Sequence, residues 1–80
     1  MSVWMSVTTS AGLFPVERTV SFDTLDGIAS AFVLAARVDE SKKTMQVNVI
    51  DQDEKIALIQ FPSQDGVIVA TVKQARLSVY

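Results

Sequence analysis

The sequence predicts an α+β fold, one helix packed on an antiparallel sheet in the order ββαβββ, and three observations lead there. Residues 23–38, DTLDGIASAFVLAARV, carry a helical period. At ~100° per residue Leu25, Ile28, Ala29, Phe32 and Ala36 share one narrow face, with Val33 and Ala35 at its margins. From Lys42 onward the period falls to two, with Met45, Val47 and Val49 alternating against Thr44, Gln46 and Asn48. Twelve valines add to the strand tendency, because β-branched side chains pack well on a pleated surface.

Taken in order, Val3, Met5 and Val7 alternate with Trp4, Ser6 and Thr8 as a first strand with one dry face. Thr9-Ser10-Ala11-Gly12 reads as a turn, and Arg18, Val20 and Phe22 alternating with Glu17, Thr19 and Ser21 as a second strand that is an edge strand or begins after Pro15, which lacks an N–H for the ladder. Asp23 then suits a helix N-cap, Asp26 supplies a capping-box-like carboxylate, and Arg37 suits the negative last turn. Beyond residues 44–49 come the polar turn Asp51-Gln52-Asp53-Glu54 and the runs 56–61 and 67–72, apolar on both faces. Asp65-Gly66 between those runs signals a tight hairpin, expected as a type I′ turn. The last three strands are expected to form a meander, with alternation continuing through Ala75, Leu77 and Val79. No internal repeat, low-complexity segment or linker stands out, so residues 1–80 are read as one small α+β domain.

Composition narrows the chemistry. The chain has neither Cys nor His, which removes the commonest metal ligands, thiolate nucleophiles and the usual general base near neutral pH. Its acids lie in turns or at the expected helix start, where charges are solvated, so neither a metal site nor a carboxylate pair is assigned; no cofactor is expected and the protein is read as not an enzyme. The net charge of −2 disfavours nucleic acid, although Lys42, Lys43, Lys55, Lys73 and Arg76 with Trp4, Phe61 or Tyr80 offer an alternative as a nucleic-acid-binding sheet face. A second alternative is a small acidic inhibitor that meets a basic target through Asp51, Asp53, Glu54 and Asp65. The opening MSVWMSV lacks the positive start of a secretory signal and no apolar run reaches ~20 residues, so a cytoplasmic location without a membrane is expected.

An apolar surplus shapes the functional expectation. On the back of the expected helix Gly27, Ala31, Leu34 and Val38 form a second stripe, which the N-terminal arm or a second subunit must cover. The runs 56–61 and 67–72 raise the same demand, since one helix covers one sheet face. The expectation is a protein-binding or assembly module whose partner is itself, as a homodimer or higher oligomer, or another protein. Its interface would use Gly27, Ala31, Leu34 and Val38, with Trp4, Phe61 and Tyr80 as further anchors.

Overall fold

Residues 23–38 do not form a helix. In the computed structural model, which describes residues 2–80, they hold the end of one strand, a tight turn, a second strand and a three-residue 3₁₀ turn. The α+β expectation is thereby corrected: the protein is nearly all β, and its only helical elements among the described residues are two 3₁₀ turns. The strands are β1 (Val3–Ser6), β2 (Thr8–Ala11), β3 (Glu17–Thr24), β4 (Gly27–Leu34), β5 (Val38–Asp39), β6 (Thr44–Gln52), β7 (Ile56–Ser63), β8 (Gly66–Lys73) and β9 (Leu77–Val79). The 3₁₀ turns η1 (Ala35–Arg37) and η2 (Gln74–Arg76) follow β4 and β8.

The reason lies at Gly27. It sits at φ 120°, a conformation open to glycine and incompatible with a helix interior, and Thr24 pairs with Gly27 across a two-residue turn. Thr24 Oγ1 accepts from Asp26 N at 3.1 Å and donates to Gly27 O at 2.7 Å, which closes the turn. Asp65-Gly66 repeats the device, with Gly66 at φ 109° and Ser63 in the role of Thr24. In both turns only the glycine has positive φ, and it pairs across the ladder rather than sitting at a central turn position, so the type I′ expectation is corrected.

This parallel extends through the chain and corrects the expectation of no internal repeat. A shift of 39 residues places Phe22 on Phe61, Asp26-Gly27 on Asp65-Gly66, Ala31 on Ala70, Val33 on Val72 and Ala36-Arg37 on Ala75-Arg76. A shift of one residue more places Met5 on Met45 and Val7 on Val47. The burial patterns of β4 and β8 are identical along all eight residues. Two equivalent halves, residues 3–39 and 44–79, each supply a hairpin, a 3₁₀ turn and a short strand that pairs with the opening strand of the other half: β5 with β6, and β9 with β1. The opening strands β1 and β6 pair antiparallel with Met5 opposite Met45, so the local two-fold axis passes between these methionines.

Two sheets result, β8-β7-β6-β1-β9 with β5 also on β6, and β2-β3-β4. The expected meander is present as β6-β7-β8. The face of β7 and β8 that needed a cover receives it from the hairpin β3–β4: Met5, Val20, Phe22, Val33, Met45, Ile59, Phe61 and Val72 form one core between the halves. One face of β7 and β8 is thus covered, while Val67 and Val69 of β8 stay exposed.

Candidate functional site

Each half builds a cavity from the same parts. The tip of one hairpin docks on the second strand of the other, where Gln64 N donates to Phe32 O at 2.9 Å and Leu25 N donates to Thr71 O at 3.0 Å. The 3₁₀ turn after that strand is tied to the loop that enters the hairpin, Ala35 N to Val16 O at 2.7 Å and Gln74 N to Lys55 O at 2.8 Å. The cavities between these parts, each partly open to solvent, are about 210 Å³ beside Arg37 and about 220 Å³ beside Arg76.

Their chemistry differs. Beside Arg76 the guanidinium donates to Asp23 Oδ2 at 2.7 Å, an exposed ion pair. At the position equivalent to Asp23 the other half has Pro62, so Arg37 lacks that carboxylate, and its Nε is buried with no hydrogen-bond partner. Glu17, where the other half has Ile56, lines the same cavity at 7% exposure, and its Oε1 is also buried without a partner. Glu17 and Arg37 do not form an ion pair with each other. Phe32, Leu34 and Pro62 supply the apolar wall.

Local sequence explains how a carboxylate comes to be buried there. Glu17 opens β3, its backbone N–H held by Phe14 O at 3.0 Å. A side chain at Gly12 would bring a Cβ within 2.7 Å of Glu17 Cβ, so the loop closes over Glu17 only because residue 12 is glycine. The neighbouring Arg18 turns outward to Glu40 at 2.6 Å and donates to the Glu17 and Pro15 carbonyls, so it makes no bond to the Glu17 carboxylate.

The surfaces around the two cavities also diverge. The loop 12–16 presents Leu13, Phe14 and Val16 to solvent beside exposed Leu34, four large apolar residues at one end of the molecule. The equivalent end carries Asp53, Glu54 and Lys55, with Lys73 in the place of Leu34. There Asp53 accepts from Ile56 N at 2.9 Å and Lys55 N at 2.7 Å, which holds its carboxyl below the usual range. The acid-rich turn 51–54 spends these oxygens on its own backbone, and among the described residues no three His, Cys, Asp or Glu side chains gather around a metal position.

The residues expected at an interface scatter. The stripe of Gly27, Ala31, Leu34 and Val38 dissolves with the helix: Gly27 lies at an exposed turn, Ala31 and Val38 pack against the core, and Leu34 alone presents a large exposed side chain. Phe61 is fully buried and offers no surface. Trp4 and Tyr80 stack with centroids 5.4 Å apart, Lys42 lies 3.8 Å from the Tyr80 centroid, and Tyr80 Oη bonds Thr44 Oγ1 at 2.8 Å. This cluster fastens the residue after β9 to β1 and to Thr44, with Tyr80 still partly exposed. The loop residues 13–16 and Glu17 were missed as candidates; the cluster of bulky apolar residues beside Gly12 and Pro15 is the signal that could have marked the loop.

Fold and site together define a class, a duplicated all-β domain with two related cavities of which one is electrically closed and one is not. No family model matches this chain, and no curated protein or solved structure is detectably similar to it. No helix of the described residues is long and apolar enough to cross a membrane.

Proposed function

We propose that this chain is a cytoplasmic, non-catalytic assembly module that works as a homodimer, two copies meeting through the end formed by Leu13, Phe14, Val16 and Leu34. The observation that carries the proposal is the contrast between equivalent positions. One scaffold presents Lys55 and Lys73 to water at one end and Val16 and Leu34 at the other, so the backbone does not demand apolar residues there. Apolar side chains clustered on a surface, without a folding reason, mark a surface that another molecule covers. A second copy fits: an isologous contact sets each patch against its equal, and a net charge of only −2 per chain opposes association weakly.

Light scattering at known concentration tests this. The wild type is expected at twice 8.7 kDa. Val16→Lys with Leu34→Lys, residues the other half already carries at these positions, is expected at 8.7 kDa with an unchanged circular dichroism spectrum. A wild type that stays at 8.7 kDa up to about millimolar concentration, where even weak specific pairs associate, would sink the proposal.

A further inference from the structure

We propose that the cavity beside Arg37 binds a small zwitterion, a free α-amino acid with an apolar side chain. Three observations converge on this chemistry; none of them requires the homodimer, although Leu34 both lines this cavity and belongs to the proposed contact. The first is the missing carboxylate. In the sister cavity Asp23 accepts from Arg76 Nη2; in this one Pro62 takes the place of that carboxylate, and Arg37 Nε is separately buried without a partner. A guanidinium presents parallel N–H donors that match a carboxylate, so a ligand's carboxylate supplies what Asp23 supplies in the other half.

The second is Glu17. A carboxylate more than nine-tenths buried with an unpartnered oxygen is unfavourable unless a donor reaches it, and no protein donor does. Glu17 and Arg37 line one cavity without pairing, so a single molecule that carries an ammonium and a carboxylate bridges them. A simple anion would leave Glu17 unsatisfied, and a simple amine would leave Arg37 so.

The third is size and lining. The cavity, partly open to solvent, holds about 210 Å³, short of the ~300 Å³ at which sites for drug-sized ligands begin. It suits an amino acid, and the wall of Phe32, Leu34 and Pro62 favours an aliphatic side chain over a polar one.

The test is a titration of the full chain, isotopically labelled, with leucine, followed by amide NMR, with acetate and isobutylamine as the two half-ligands. Leucine is expected to move the amides of Glu17, Phe32, Leu34, Arg37 and Gln64 and to leave residues 24–28 and 73–76 in place. Each half-ligand, and each of Glu17→Gln and Arg37→Gln, should weaken binding by about tenfold or more. Pro62→Asp restores the carboxylate of the sister cavity and should abolish binding by occupying Arg37, with the fold intact by circular dichroism. This variant keeps the test decisive if a change at buried Glu17 prevents folding. No movement at about 10 mM leucine, equal movement in both cavities, or undiminished binding to Pro62→Asp overturns the proposal.

Discussion

Phe22 meets Phe61 edge to face, ring centroids 5.6 Å apart and planes at 74°, where the hairpins of the two halves cross. The two residues occupy equivalent positions in the repeat, so each half buries its own phenylalanine against its partner's. Neither hairpin has a dry face of its own to fold against.

Truncation at this crossing should therefore undo both halves together. Phe61→Ala is expected to cost ~3–5 kcal/mol, by loss of burial and by the cavity left behind. Urea unfolding should remain a single transition. A double-mutant cycle of Phe22→Leu with Phe61→Leu should report a coupling of about 0.5–1.5 kcal/mol for the ring pair. Two separated transitions would mean that the halves fold independently.

Gly27→Ala separates a hairpin from a helix by sign. In a helix interior alanine would stabilise by ~0.5–1 kcal/mol over glycine. Here Gly27 stands at φ 120° with open space around it, so the substitution should destabilise through backbone strain alone, by about 1 kcal/mol or more. Gly66→Ala should behave alike. Gly12→Ala should do harm by a different route, since the new methyl group meets Glu17.

Acid should weaken the protein partly through Asp53 and Asp39. Asp53 accepts from the Ile56 and Lys55 amides, and Asp39 from the Ser41 hydroxyl and the Lys42 amide, and both carboxyls are held below their ordinary values. A folded-state pKa below the unfolded one contributes stability above the unfolded pKa of about 3.9, and that contribution disappears as pH falls through the lower folded value. The melting temperature of Asp53→Asn should thus lie below wild type near pH 6, and the gap should close on acidification. A gap independent of pH would refute the assignment.

Glu17→Ile, the residue that the other half uses, should stabilise the unliganded protein by about 1–3 kcal/mol, because it removes a buried and unsatisfied carboxylate. Asp23→Ala makes the contrast: its pair with Arg76 is exposed, so the loss should stay under about 1 kcal/mol and shrink in salt. Chemical denaturation of the two variants measures both.

The helix expected over residues 23–38 shows where local pattern misleads. In β4 the inward set is Ala29, Ala31 and Val33 and the outward set Ile28, Ser30, Phe32 and Leu34. With apolar residues on both faces no alternation is visible, and alanines score as apolar at any spacing, so a period near 3.6 emerges by accident. Asp26-Gly27 was available as a turn signal, and at Asp65-Gly66, between two apolar runs, the hairpin is legible though its turn type is not. Leu34 was legible as a surplus apolar residue. Glu17 was not, since in a period-two strand it looks like any solvated acid.

By itself the sequence determined the strands with one dry face, the meander of β6 to β8, the turn at Asp65-Gly66 and the absence of His and Cys chemistry, because these depend on residues close together in the chain. The tertiary structure alone decided that the halves interlock about Met5 and Met45, that Glu17 is buried, and that Arg37 lacks the partner Arg76 has. Those outcomes depend on strands far apart in the chain, β1 with β6 and β1 with β9, being brought side by side, and local periodicity carries no information about such a meeting.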